Sequence, residues 1–433
     1  MSTDATSGRP WTAALGTAVF TSLLFVVCYN ACNWLTMQRA DAGIWAFECE
    51  SHWPVVPWMI VPYWSIDLLF VVAPFLCTTR AEVANHRRRI VLVIVGGCLG
   101  FLLIPLRFAF ARPEVTGVYG DLFRLLYSFD QTGNLFPSLH IALRTVLAAH
   151  YAGKFVRSGR WLTHAWFALI GVSTLLTWQH HLVDVLGGFW LGLIALHLYP
   201  AGGRRSAGAR NVRVAAYYAL GAIACTQLAR VCWPWTVAAT LPAFACGALA
   251  FGYCGHGAIY AKSADGRLSF MTRLLWAPLL WGQRLSWWHY RRQSPMVSKL
   301  TDTVWLGALP TEREAAALRG HGVTAVLDLT AEFEAPKAFS TVRYLNIPVL
   351  DLTAPSREQL LAAASFIEEE SSRGVVFVHC KAGYSRTAAA AGAWLLLSGR
   401  CGTVRSVLTM LRSVRPGIVV RPEVVKALED LRT

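Results

Sequence analysis

Eight apolar runs fill residues 11–37, 54–78, 90–111, 138–156, 161–179, 182–200, 213–233 and 234–255, and each is long enough to cross a bilayer. A chain cannot hide that much apolar length in a water-soluble core. The first 255 residues are therefore expected to form an all-α polytopic membrane bundle of about eight spans. Composition agrees, with 55% hydrophobic residues, 15% charged residues and 18 tryptophans. The last two runs are divided only by Trp233-Pro234. Residues 1–10 read as a polar tail, and no cleavable signal is expected, because the first apolar run is longer than a signal peptide needs.

Basic residues give the bundle a direction. One set of loops holds Arg9, then Arg80 with Arg87, Arg88 and Arg89, then Lys154, Arg157 and Arg160, then Arg204, Arg205, Arg210 and Arg213. The opposite loops hold Arg39, Arg112 and Arg124. The positive-inside rule makes the first set cytoplasmic, and an even number of spans then leaves the C-terminal region inside as well. The expected location is a bacterial inner membrane, crossed many times. The net charge of +15 mostly reports this topology, since residues 296–433 carry 16 Lys and Arg against 14 Asp and Glu. No nucleic-acid partner is implied.

Beyond the bundle the pattern changes to short strands and helices. Strands are expected at Val304–Gly307, Val323–Leu329, Arg343–Ile347 and Val375–Val378, with helices at 311–320, 356–371, 387–398 and 402–414. This is an α/β domain over 296–433, large enough for one buried core. Between the halves, residues 256–295 form an amphipathic linker. Its stretch 267–292 combines Arg267, Arg273, Arg284, Arg291 and Arg292 with Trp276, Trp281, Trp287 and Trp288, as in a helix lying among lipid headgroups. Pro278 is expected to divide it.

The chemistry is concentrated in His379-Cys380-Lys381-Ala382-Gly383-Tyr384-Ser385-Arg386-Thr387, an HCx5R sequence placed between a buried strand and a helix. Such a loop aims successive backbone N–H groups of Lys381 through Ser385 at one point, where a phosphate dianion can sit at the helix N-terminus. Cys380 lies at the bottom, as a thiolate nucleophile whose pKa the same field should lower. Arg386 is expected to clamp two phosphoryl oxygens, and Ser385 or Thr387 to donate a hydrogen bond to the departing sulfur. Asp351, on a loop after a strand, is the candidate general acid. Eleven cysteines are present, without a CxxC pair or a His/Cys cluster at metal spacing, so neither a metal nor another cofactor is expected.

A second constellation lies in the bundle. Pro137-Ser138-Leu139-His140 opens the fourth run, and Ser173-Thr174 precedes His180-His181-Leu182-Val183-Asp184. His140 and His180 are forty residues apart, one span down and one back, and so return to the same non-cytoplasmic, periplasm-facing side. His180 and Asp184 are four apart, which lets the carboxylate fix the imidazole. Asp67 and Arg107 form a candidate ion pair between the second and third runs.

The membrane half resembles the type 2 phosphatidic acid phosphatase superfamily, whose motifs are KxxxxxxRP, PSGH and SRxxxxxHxxxD. Here the second reads PSLH, and the third keeps Ser173, His180 and Asp184 but has Thr174 for its arginine. The first keeps Arg112-Pro113, with Pro105 in the place of lysine. The resemblance implies a phosphohistidine at His180, oriented by Asp184, with His140 as acid and with Arg112, Ser138 and Ser173 as substrate contacts. PSLH with a bare His/His/Asp set is more similar to the inositolphosphorylceramide and sphingomyelin synthase branch, so hydrolysis and headgroup transfer are both open. Residues 296–433 resemble dual-specificity phosphatases. Within these they are most similar to the mitochondrial phosphatidylglycerophosphate phosphatase group, through Leu306-Gly307-Ala308-Leu309-Pro310, HCKAG, Val414-Arg415-Pro416-Gly417 and Arg421-Pro422. Lys381 beside the phosphate implies an anionic lipid headgroup. Phosphorylated membrane lipids and the bilayer are the implied partners, with a phosphoprotein substrate as the alternative.

Overall fold

A computed structural model describes residues 9–200, 210–231, 236–255, 259–293 and 295–431. The expected N-terminal tail, but for its last two residues, and the Trp233-Pro234 break lie outside the described residues. The chain divides into two units, Met1–Arg204 with Ala222–Phe244, and Arg205–Gly221 with Ala245–Thr433.

The first unit is helical: α1 (Trp11–Met37), α2 (Ile60–Val72), α3 (Arg80–Leu103), α4 (Gly117–Phe129), α5 (Leu139–Ala152), α6 (Arg157–Leu176) and α7 (Leu182–Leu198). Helices α8 (Val212–Val231) and α9 (Thr236–Tyr253) follow. Among the described residues each expected apolar run overlaps a helix, but the third is helical only as far as Leu103. Three stretches among the described residues, Trp11–Met37, Pro57–Leu76 and Val212–Ala229, are long and apolar enough to cross a membrane. The other runs lie on helices that are shorter or carry charge. Helix α3 begins ten residues before its apolar run and takes in Arg87, Arg88 and Arg89, because Thr79 caps it by accepting the Glu82 N–H. Ile90, Val93, Ile94 and Phe101 of α3 pack with Val146 and Leu147 of α5 in the interior. The Asp67–Arg107 pair is not formed: Arg107 Nε donates to the Ala42 carbonyl at 3.1 Å.

The second unit continues with α10 (Phe270–Leu275) and α11 (Ala277–Tyr290), divided at Trp276 with Pro278 in the first turn of α11. There a missing N–H costs nothing. The α/β domain follows in the order β1 (Val297–Lys299), β2 (Val304–Ala308), α12 (Glu312–Gly320), β3 (Val323–Thr330), β4 (Arg343–Val349), α13 (Arg357–Ser371), β5 (Val375–Cys380), α14 (Ser385–Leu397), α15 (Val404–Val414) and α16 (Pro422–Glu429). The five strands pair in the order β1-β2-β5-β3-β4, with β1 antiparallel and the rest parallel. Sequence reading missed β1, which is only three residues long. It also missed α16, although Pro422 at its first turn is a helix-start signal. The central strand, β5, is almost wholly buried and correspondingly apolar until its last two residues. Leu327, Val376, Val378, Ala388 and Leu411 share one core. Cys380 thus ends the middle strand of a parallel sheet, at the carboxyl edge where such sheets bind ligands.

Candidate active site

The loop from Lys381 to Tyr384 joins β5 to α14, and its shape depends on glycine. Gly383 has φ +70°, and a Cβ there would lie 2.6 Å from the Gly307 backbone and 2.7 Å from Arg415 Nη2. Arg415, fully buried, fastens the loop: Nη2 donates to Ala382 O at 3.2 Å and Nη1 to Pro295 O at 2.8 Å. Tyr384 precedes the first turn of α14, whose N-terminal N–H groups face the loop. Cys380 is buried, and the Ser385 and Thr387 hydroxyls are enclosed without a hydrogen-bond partner among the described residues. Both remain available to sulfur or phosphate.

Arg386 is held from behind by a residue that sequence reading did not identify. Glu332 accepts from Arg386 Nη2 at 2.7 Å and from Nη1 at 3.0 Å, a two-point pair with both side chains almost fully buried. Nη1 also donates to Val349 O at 2.8 Å. Asp351 reaches the same place from the loop after β4, with Oδ1 3.2 Å from Arg386 Nη2 and Oδ2 accepting from the Lys381 ammonium. Burial alone would raise the Asp351 pKa, but the Arg386 and Lys381 charges outweigh it and hold the carboxyl below its ordinary value. Tyr253 donates to Asp351 O at 2.9 Å and Asn211 to Leu352 O at 2.6 Å, which fixes Leu352 at φ +64°. The expected nucleophile, clamp, loop and acid are therefore brought together.

Beneath the loop lies a buried ion pair that was also missed. Lys262 Nζ donates to Asp328 Oδ2 at 2.7 Å, both side chains fully buried, and Tyr344 donates to the same oxygen at 2.7 Å. Burial would raise the Asp328 pKa, but Lys262 and the other donors pull it well below the carboxylate range. His379 packs 3.9 Å from Asp328, and its burial keeps it neutral.

In the helical unit, His140 and His180 line one cavity of about 530 Å³ together with Asp67, Asp130, Tyr29 and Tyr63. His140 stacks on Tyr63 at 4.2 Å, and its Nε2 has no partner among the described residues. Arg112 donates to Asp130 O and lies over Tyr127, and it shares a small adjoining cavity with His180. The expected His180–Asp184 bond is not formed, because Nδ1 and Oδ2 are 3.7 Å apart. Asp184 instead accepts the His181 N–H at 2.8 Å as part of the α7 cap. It is His181 that bonds to a carboxylate: Nε2 accepts the Ala109 N–H at 3.0 Å, so Nδ1 carries the proton and donates to Glu50 at 2.7 Å. Ser138 and Ser173 serve the backbone. Ser138 Oγ caps α5, and the Ser173 hydroxyl donates to Ile170 O. Cys77, Glu82 and His150 also approach within 4.8 Å of one another, a grouping that sequence spacing hides, but Glu82 is already paired with Lys154.

Residues 304–433 match the family model for the dual specificity phosphatase catalytic domain. The chain is 27% identical over 176 residues to phosphatidylglycerophosphate phosphatase PTPMT2 of Arabidopsis thaliana, covering 39% of this chain and 73% of that protein. It is 35% identical over 82 residues to the tyrosine-protein phosphatase CDC14 homolog of Schizosaccharomyces pombe, covering 19% and 15% of the two chains. Among solved structures, Tk-PTP in its active form is 31% identical and covers 32% of this chain and 96% of its own, with a TM-score of 0.30. Over residues 304–433 the chain carries a catalytic domain of the dual-specificity phosphatase family.

Proposed function

We propose that the chain is an integral membrane phosphatase that hydrolyses phosphomonoesters on lipid headgroups through a cysteinyl-phosphate intermediate. Cys380 Sγ attacks phosphorus, and the bond to the headgroup oxygen breaks as Asp351 gives that oxygen its proton. Water then attacks the cysteinyl phosphate, Asp351 takes a proton from it, and the thiolate leaves. Arg386, squared by Glu332, and the loop N–H groups bind the charge that builds on the phosphoryl oxygens. The observation that carries this reading is the convergence of Cys380, Arg386 and Asp351 at the carboxyl edge of β5.

The lipid substrate is supported by α11 and by the likeness to PTPMT2. Trp281, Leu285 and Trp288 are 70%, 66% and 51% exposed on one side of this helix, with Arg292 over the Trp288 ring at 3.5 Å. Such a face suits the headgroup layer, and the opposite side reaches Lys381. The proposal extends to a second site at His140 and His180 with Asp184 and Arg112, a lipid phosphatase or headgroup phosphotransferase on the other side of an eight-span bundle, with the Cys380 domain cytoplasmic. Its support is the shared cavity of the two imidazoles.

The test is phosphate release in mixed micelles from phosphatidylglycerophosphate, phosphatidic acid, phosphoinositides and a phosphotyrosine peptide, with wild type, Cys380→Ser and His180→Ala. Lipid turnover lost in Cys380→Ser is the expected result. Peptide turnover without lipid turnover would replace the lipid reading with a protein phosphatase, and unchanged lipid hydrolysis and transfer in His180→Ala would remove the second site.

A further inference from the structure

Lys381 stands next to the nucleophile, yet its long stem gives it no fixed position of its own. Its side chain is only 8% exposed, and its ammonium has three acceptors: Asp351 Oδ2, Gln283 Oε1 at 2.9 Å and Ser286 Oγ at 3.3 Å. An ammonium has three N–H bonds, so all are taken. Two of these acceptors come from α11, which lies before residue 304, outside the matched catalytic domain. Gln283 and Ser286 are three residues apart and so share a helix face. That face is fastened to the domain further along: Trp287 Nε1 donates to Leu309 O at 3.0 Å, and Arg291 pairs with Glu314. Leu309 N in turn donates to Lys381 O at 3.3 Å, so α11 holds both the main chain and the side chain of one loop residue.

We infer that Gln283 and Ser286 are positioning residues of the Cys380 site, which fix the Lys381 ammonium where it meets a bound phosphomonoester. This rests on the reading of Cys380 as the nucleophile of a phosphomonoesterase. Asp351 alone cannot do it, because as the general acid it must carry a proton when it acts and then lacks the charge that holds the ammonium. Freezing a lysine rotamer costs conformational entropy, and the α11 acceptors meet that cost before substrate arrives. The helix proposed to lie on lipid is thus also a wall of the catalytic site.

The experiment is a double-mutant cycle in the full chain, read as kcat/KM with p-nitrophenyl phosphate and with phosphatidylglycerophosphate in mixed micelles. Gln283→Ala with Ser286→Ala is expected to lower kcat/KM about tenfold, chiefly through KM, and Gln283→Ala with Ser286→Thr, which keeps the hydroxyl, to recover part of it. In a Lys381→Met background the same pair is expected to cost less than about twofold, because its effect passes through the missing ammonium. An equal loss in both backgrounds would mean that α11 acts by packing, and no loss with Lys381 present would mean that it does nothing; either overturns the inference. Where Lys381→Met turns over too slowly, the affinity of Cys380→Ser variants for inorganic phosphate supplies the same cycle. Wild-type hydrolysis of p-nitrophenyl phosphate without hydrolysis of phosphatidylglycerophosphate would sink the lipid reading alone, and the coupling would still be read on the aryl substrate.

Discussion

Glu332→Gln keeps the size of the side chain behind Arg386 and removes its charge. The guanidinium loses a two-point pair at 2.7 and 3.0 Å and keeps Val349 O at 2.8 Å and Asp351 Oδ1 at 3.2 Å. Charge centres about 4 Å apart attract by about 4 kcal/mol at the effective dielectric that suits buried pairs. The amide retains one acceptor and turns its NH₂ toward a guanidinium that has no acceptor to offer, so about 3 kcal/mol of orienting energy should be lost. If Arg386 must face the phosphoryl oxygens squarely as charge builds, that loss appears in kcat/KM as roughly a hundredfold decrease. The assay is p-nitrophenyl phosphate hydrolysis by the full chain, alongside the urea midpoint for the change in tryptophan emission, which separates misfolding from misorientation. A folded Glu332→Gln enzyme within threefold of wild type would refute the argument that Glu332 sets the clamp.

Gly383→Ala must place a methyl 2.6 Å from the Gly307 backbone at a positive φ, so the loop has to open. The expected result is a loss of kcat/KM of two decades or more, with stability reduced by about 1–3 kcal/mol. Asp351→Asn should lower kcat on an alkyl phosphomonoester by roughly 10²–10³ and on an aryl phosphate by much less, since a phenoxide leaves with less help. In wild type a bound dianion competes for Arg386 and Lys381 and so raises the Asp351 pKa; activity should fall as pH rises through it, and that limb should vanish in Asp351→Asn. Asp328→Asn leaves Lys262 buried and unpaired and should cost about 3–5 kcal/mol, with much of it recovered by adding Lys262→Met; the urea midpoint for loss of Cys380-dependent activity reads both. Because the Asp328 pKa is depressed on folding, its stabilisation is complete above the unfolded carboxylate value of about 4 and is lost as pH falls further.

What the sequence made legible was local, and what it concealed was paired over distance. Cys380, Arg386 and the loop between them lie within seven residues, so spacing alone singles them out as candidates, and Asp351 stands out as an acid after a strand. Glu332 is 54 residues from Arg386 and Lys262 is 66 from Asp328. No period links such partners, and each reads singly as a solvated loop charge. Gln283 was hidden in the same way, inside a linker whose tryptophans and arginines drew attention to its outer face. In the helical half one expected hydrogen bond, from His180 to Asp184, is missing for a different reason. The interval from His180 to Asp184 is one helical turn only if both residues are helical, and α7 begins at Leu182 with His181 as its cap. His180 therefore lies before the first turn, and the carboxylate four residues on is spent on the cap N–H at 2.8 Å. The i, i+4 rule holds inside a helix and fails across its start, where an acidic side chain in the first turn has unpaired backbone donors closer than any imidazole. Glu50 then reaches His181 across 131 residues, a partner that the short motif could not announce. For a site split between loops and helix ends, the motif locates the reacting atoms, and the buried charges that orient them must be found in three dimensions.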